Sequence, residues 1–371
     1  MKFLIITHVH HKEKENHYFG YAPYVREMNI WLKFVDEVVV VGPLSGSDIT
    51  PIDIAYKHDK IDFRAVPDFS FTNFRNTVSA LGKMPILFWE IFWAMIKADH
   101  IHLRCPGNVG LIGCVLQILF PNKSKTAKYA GNWDPKSKQP WTYRFQKCIL
   151  SNTFLTRNMQ VLVYGEWPNQ TQNIVPFFTA SYSENEILPL QDLKVTDAMI
   201  RFVFAGTLVE GKNPHYAIQV VEAFSKKGYT VQLDVFGDGK LRTELERYVQ
   251  KRQLQHFIFL HGNQFAEIVK KAYQNSHFVI LPSKSEGWPK VLAEGMFWGC
   301  VPLATSVSCV PYMLGEGGRG VLLQSDITTD VQGIQTLLDN PTLYNQKRQK
   351  AVIWSRQFTL ELFEAAIQKL V

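Results

Sequence analysis

The stretch from Phe278 to Ala304 constrains the fold more than any other. Phe278-Val279-Ile280-Leu281-Pro282 is an apolar run of strand length, ended by proline. Beyond it, Val291, Leu292, Met296 and Phe297 recur at helical spacing, and Gly299 stops them. Val301–Ala304 then reads as another strand. Pro289 suits the first helical turn, where no backbone donor is lost. Glu286 therefore sits in the loop at the C-terminal end of a strand, and Glu294, eight positions on, sits on the helix. A helix N-terminus aimed into the crevice at strand ends is a ready anion site, and Gly287 lets a phosphate approach the backbone.

A chain of 371 residues is long for one core, so two domains are expected. The net charge of +7 favours anionic partners: nucleotide diphosphates, an anionic membrane face or nucleic acid. Cys105, Cys114, Cys148, Cys300 and Cys309 form no C-x-x-C, and an odd count fits free thiols in a reducing compartment. The apolar start Phe3–Ile6 is too short for a signal peptide and reads as a buried strand. No run reaches the roughly 18 apolar residues of a membrane span. Two glycosylation sequons, at Asn122 and Asn169, are taken as chance.

In the N-terminal half, His8, His10, His11 and His17 fall in a Lys/Glu-rich loop that reads as solvated rather than as a metal site. A helix is expected from about Pro23 to Phe34, then a strand at Val38–Val41. No G-x-G-x-x-G follows the first strand, which counts against a nicotinamide dehydrogenase. Met84–Lys97 is apolar nearly all round, consistent with a buried helix, or with a surface helix dipping into a membrane or gripping a lipid-linked acceptor. Asp99–Arg104 is a strand that would leave His102 and Arg104 at its end, facing the cleft.

Residues 121–150 interleave Lys123, Lys125, Lys128, Lys136, Lys138, Arg144 and Lys147 with aromatic residues, against the single acid Asp134. Such a stretch suits single-stranded nucleic acid, a sugar chain, an anionic membrane, or simply a solvated basic loop. Residues 179–198 are polar and irregular and read as the link between two halves. A second alternation of strands and helices starts at Phe202–Thr207, with Lys212 in the following loop and a helix from about His215 to Ser225. Further strands are expected at Val231–Phe236, before the tight turn Gly237-Asp238-Gly239, and at Phe257–Leu260, before His261-Gly262-Asn263. The tail from about Trp354 to Val371 reads as helical.

The Glu286–Glu294 stretch, with Gly-Trp-Pro in its loop and Glu-Gly on its helix, resembles the E-x7-E element of retaining GT-B glycosyltransferases of family 4. The resemblance is good over about residues 200–325 and loose before them. It implies α/β architecture with two Rossmann-like doubly wound domains facing across a cleft. Residues 1–185 would take the acceptor, with a C-terminal helix of about 355–371 packing back on them, and 196–354 would take the donor. It implies that Glu294 accepts from the ribose hydroxyls, and that Glu286 holds the donor sugar near its anomeric carbon. Lys212 and the backbone of Gly287 and Trp288, just before Pro289, would meet the diphosphate. Gly206, Thr207, Gly237 and Asn263 would border the nucleotide, Thr207 standing where the family usually has an arginine. Gly20, His102, Arg104, Asn132 and Asp134 would line the acceptor side, and the family's histidine after the strand at Thr126–Tyr129 is replaced by Ala130-Gly131-Asn132.

The implied reaction moves a sugar, with retention, from a UDP- or GDP-linked donor to a glycan or lipid-linked acceptor in bacterial surface polysaccharide synthesis. Such an enzyme would work in the cytoplasm, on the inner face of the plasma membrane. No Asp-x-Asp occurs in the chain, so no metal and no cofactor are expected. The rival readings are a nucleotide-sugar epimerase, a silent binding module that kept the fold, and a nucleic-acid binder using 121–150.

Overall fold

The computed structural model describes residues 1–68, 74–196 and 198–371, residues 74–81 by their backbone. Asp197, inside the expected link, lies outside the described residues. The chain divides into two compact units, Met1–Phe178 with Phe363–Val371, and Thr179–Leu362.

In the first unit the strands are β1 (Lys2–Ile6), β2 (His11–Lys14), β3 (His17–Tyr21), β4 (Glu37–Gly42), β5 (Asp53–Ala55), β6 (Ile61–Ala65), β7 (His100–Cys105), β8 (Ser124–Tyr129), β9 (Met159–Tyr164) and β10 (Ile174–Phe177). The helices are α1 (Ala22–Trp31), α2 (Phe74–Lys97), α3 (Asn108–Leu116) and α4 (Trp141–Leu150). Seven strands form a parallel sheet in the order β10-β9-β8-β7-β1-β4-β6. Strands covered on both faces are near-continuous apolar runs, as in Phe3–Ile6 and Val38–Val41. One face packs Leu4, Ile6, Ile101 and Leu103 against Leu87, Ile91 and Met95 of α2, Val109 and Ile112 of α3, and Ile149 and Leu150 of α4. The order reverses between β1 and β7, a topological switch point where ligands of such sheets gather.

The expected solvated histidine loop is instead part of a small antiparallel sheet, β2-β3-β5. Glu15 and Asn16, both at positive φ (52° and 61°), make its two-residue turn, the geometry whose twist suits a hairpin. His11 is fully buried, its Nε2 2.9 Å from the Tyr56 hydroxyl.

The second unit holds β11 (Ile200–Ala205), β12 (Val231–Phe236), β13 (Ile258–Gly262), β14 (Phe278–Leu281), β15 (Val301–Thr305) and β16 (Val321–Leu323). Its helices are α5 (Pro214–Lys226), α6 (Arg242–Lys251), α7 (Ala266–Gln274), α8 (Lys290–Phe297), α9 (Val310–Leu314), α10 (Ile327–Leu338) and α11 (Pro341–Ser355). The sheet is parallel, in the order β13-β12-β11-β14-β15-β16, so its switch point lies between β11 and β14. Gly295 is where α8 lies closest on β14: a Cβ there would come within 2.6 Å of Val279 Cγ1. Pro289 is the N-cap of α8 rather than a residue of its first turn.

The tail is not one helix. Helix α11 ends at Ser355, and α12 (Leu360–Gln368) starts anew, the Thr359 hydroxyl accepting from Leu362 N at 3.3 Å. In the first unit, the ring of Phe363 stands 5.5 Å from Phe177 and 5.8 Å from Phe178.

Candidate functional site

At the switch point of the second unit two loops meet. The loop after β11 carries Lys212, and the loop after β14 carries Glu286, 74 positions away. Lys212 Nζ donates to both carboxylate oxygens of Glu286, at 2.6 and 2.8 Å. Glu286 is 7% exposed, whereas the Lys212 side chain keeps 31% of its surface open. A buried carboxylate is tolerable only when paired, and this pair satisfies it while leaving the cation reachable from solvent. The loops are also tied through the backbone, Lys284 N donating to Gly211 O at 2.8 Å. The Cys309 thiol donates to Gly287 O at 2.7 Å, and its burial, with Glu286 nearby, pushes its pKa up to about 12, so it stays a neutral donor. The Thr305 hydroxyl donates to Ser283 O, fastening the same loop from β15.

Glu294 projects from α8, half-buried, and accepts from the Ser181 hydroxyl at 2.6 Å and the Tyr273 hydroxyl at 3.4 Å. Neither partner was legible in the sequence: Ser181 is 113 positions away and carries no motif. Trp288 turns its ring inward, stacked on Trp354 at 5.9 Å and edge-on to Phe358 at 5.5 Å, so only its backbone is offered to the loop.

The turns after β11, β12 and β13 lie beside this pair at the same end of the sheet. Gly206 N donates to Phe236 O at 2.9 Å, and Gly237 N to Gly262 O at 2.8 Å. A Cβ on Gly237 would stand 2.0 Å from Gly206 O, and its φ of +122° is one that side chains avoid. Thr207 is exposed and Asn263 half-exposed on this rim. Arg242, which sequence reasoning did not single out, lies against Gly262 and pairs with Asp238 at 3.2 Å and Glu246 at 2.8 Å. The structure thus brings Lys212, Glu286 and the Gly206 and Gly237 turns to one strand-end rim, with Glu294 little more than one turn along α8 from Glu286's loop.

The residues expected on the acceptor side belong to the first unit. His102 is a core residue, not a strand-end one: it is buried against Phe3 and Trp31, with Nδ1 2.9 Å from Thr126 Oγ1. Desolvation holds it well below the usual histidine range, hence neutral. Gly20 is buried in β3 against Val25 and His11. Arg104 pairs with Glu27 at 3.5 Å and lies over the Tyr24 ring. Asn132 Oδ1 and Asp134 Oδ1 accept from the backbone of Asp134 and Lys136, which folds the 130s loop on itself. Near Arg104, His8 lies against Gly107, where a Cβ would come within 2.4 Å of its Nδ1; burial and Arg104 lower the His8 pKa to about 4.

The basic stretch 121–150 is not a single open face. Lys125 Nζ is spent on Gln117 O and Phe120 O, Lys128 Nζ on Phe178 O, and Lys147 Nζ on Trp133 O. Trp133 and Tyr129 are buried. These three lysines and two rings are withdrawn from the nucleic-acid reading, while Lys136, Lys138, Trp141, Arg144 and Phe145 stay exposed.

Comparison with known proteins bears on this arrangement. Residues 191–354, the segment that carries the rim, match the family described as Glycosyl transferases group 1. This segment belongs to that family. An uncharacterised glycosyltransferase of Methanocaldococcus jannaschii is 27% identical over 169 residues, covering 45% of this chain and 46% of that protein. The Campylobacter jejuni N-acetylgalactosamine-N,N'-diacetylbacillosaminyl-diphospho-undecaprenol 4-alpha-N-acetylgalactosaminyltransferase is 26% identical over 171 residues, covering 46% of this chain and 45% of its own length. The matches therefore span about half the length of these relatives. Among solved structures, Anabaena HepE in complex with UDP and glucose superposes with a TM-score of 0.71 at 15% identity, over 100% of this chain and 98% of its own. WaaG, a glycosyltransferase involved in lipopolysaccharide biosynthesis, gives 0.66 at 12% identity, over 100% of both chains. At such identities the likeness is one of fold, and the fold is GT-B.

Proposed function

We propose that the chain is a retaining glycosyltransferase that moves a sugar from a UDP- or GDP-linked donor to a glycan or lipid-linked acceptor. The observation that carries the reading is the Lys212–Glu286 pair at the switch point of a group 1 glycosyl transferase segment. On donor binding, Lys212 exchanges Glu286 for the diphosphate, whose charge grows as it leaves, and the positive end of the α8 dipole adds to its stabilisation. Glu286, released, accepts from hydroxyls of the donor sugar beside the anomeric carbon. Glu294 exchanges the Ser181 and Tyr273 hydroxyls for the two ribose hydroxyls, a task suited to a carboxylate because it accepts from both at once. The acceptor oxygen bonds to the anomeric carbon as the bond to the diphosphate breaks, and the departing diphosphate takes the acceptor proton. None of these steps calls on a metal or cofactor.

The relatives' names support an acceptor in surface polysaccharide synthesis, one of them acting on a diphospho-undecaprenol-linked glycan. We place the reaction at the inner face of the plasma membrane. A thermal-shift panel of UDP-, GDP-, ADP- and dTDP-sugars on wild type and Glu294→Ala tests the reading. Stabilisation by one nucleotide class, lost in the variant, is expected; stabilisation that survives in Glu294→Ala would overturn the assignment of the ribose.

A further inference from the structure

The first unit carries a face that its own core does not use. Helix α2 buries Leu87, Ile91, Ala94 and Met95, yet Ile86, Trp89, Trp93 and Ile96 stand on its other side, with Trp89 63% exposed. Their spacing puts them in one stripe, and the Trp89 and Trp93 rings meet edge-on at 5.5 Å. A helix of a soluble domain normally turns polar residues outward, so two apolar faces on one helix call for a second apolar or interfacial neighbour. The stripe continues beyond α2. Phe92 packs on Phe120 at 5.6 Å, and Lys123 Nζ reaches Ile96 O and Ala98 O, so the short turn carrying exposed Leu119 lies beside it. Gln117 Nε2 donates to Leu155 O at 3.0 Å, which brings in Phe154, 70% exposed, with the Arg157 guanidinium 4.7 Å from its ring centre.

Charge identifies the occupant. Between Lys83 and Arg157 several cations are turned inward, Lys125, Lys128 and Lys147 among them, but Lys97, Lys136, Lys138, Arg144 and Arg157 are exposed against one exposed acid, Asp99, so the charge this segment shows to solvent is basic. A face of tryptophans and aliphatic groups in a strongly basic setting matches the interface of an anionic bilayer, where indole rings sit at headgroup level and cations meet lipid phosphates. Among the described residues no helix is long and apolar enough to cross a membrane. We propose that this unit docks peripherally on anionic lipid through Ile86, Trp89, Trp93, Ile96, Leu119 and Phe154. The assignment deepens the proposed function, since a lipid-linked acceptor would be met at that surface.

The test is flotation of the full chain with vesicles of pure phosphatidylcholine and of phosphatidylcholine with 30% phosphatidylglycerol, about that fraction being strongly anionic. Wild type is expected to float with the anionic vesicles and to be released by salt. Trp89→Ser/Trp93→Ser is expected to lower the partition coefficient at least about tenfold, as loss of two interfacial rings demands. Its melting temperature and its stabilisation by nucleotide sugars should match wild type, because both rings lie on the surface of the first unit. Lys97→Glu/Arg157→Glu should weaken the anionic preference alone. Equal binding by Trp89→Ser/Trp93→Ser and wild type would overturn the proposal. So would a concentration-dependent dimer that this variant abolishes while vesicles bind neither protein, which would assign the face to a second copy. Loss of nucleotide stabilisation in wild type would strike the donor reading and leave the vesicle result standing.

Discussion

Replacing Lys212 by Met keeps the length of the side chain and removes its charge, leaving the Glu286 carboxylate, 6% exposed, without its cation. Removing one partner of a fully buried pair costs on the order of 3–5 kcal/mol. Here the lysine side is 31% open, so water can enter the space and screen the carboxylate, which brings the expected cost to about 1–3 kcal/mol. At about 2–4 °C per kcal/mol for a unit of this size, the second unit should melt roughly 2–12 °C lower. Adding Glu286→Gln removes the stranded charge. The double variant should therefore be less destabilised than the sum of the singles, with a coupling of about 1 kcal/mol or more. The assay is urea denaturation of wild type, both single variants and the double variant, followed by circular dichroism and tryptophan fluorescence. Additivity within about 0.5 kcal/mol would refute the reasoning, because it would mean that the two groups do not share a buried ion pair.

Gly237→Ala should destabilise the second unit by about 3 kcal/mol, since the new Cβ meets Gly206 O at 2.0 Å on a backbone that disfavours side chains; a melt within 1 °C of wild type would contradict this. Gly295→Ala should cost about 1–3 kcal/mol by pushing α8 off Val279, and differential scanning calorimetry would register it. His100 and His11 are neutral in the fold, their pKa values lowered to about 4 by burial, while in the unfolded chain they take protons below about 6.5. Protons therefore favour unfolding in that window, so the first unit should be at full stability above about pH 6.5 and lose it progressively toward pH 4. A melting temperature that stays flat from pH 7 to pH 5 would count against those two burial sites. Lys212→Met should also lower kcat by about 10²–10³-fold, the effect of removing one preorganised donor from a developing oxyanion, as read by nucleotide release.

The parts of the second unit were legible because parallel strands and amphipathic helices write themselves locally. Phe278–Leu281, its proline and the helix-spaced residues after Lys290 sit where the periodicity put them. What pairs across the sheet was not legible: Lys212 with Glu286, and Ser181 and Tyr273 with Glu294, are joined by topology and not by spacing. The first unit misled where polar residues are buried. His102 reads as a strand-end residue facing a cleft, and Lys125 and Lys128 as part of a basic stretch, yet a threonine hydroxyl and main-chain oxygens satisfy them inside strands β7 and β8. The β2-β3 hairpin was missed because its turn is Glu15-Asn16, without the glycine that usually signals one. The outward tryptophans of α2 could be read as core or as surface until the opposite face was seen to fill the core.

The most direct measurement of the central claim is isothermal titration calorimetry of UDP and GDP into wild type, Lys212→Met and Glu294→Ala. The account predicts one site in wild type for one of the two nucleotides, weakened at least about tenfold by each substitution, as expected for loss of a charged hydrogen bond of about 1.4 kcal/mol or more. Equal affinity in all three proteins would place the nucleotide away from the Lys212–Glu286 rim and contradict the account.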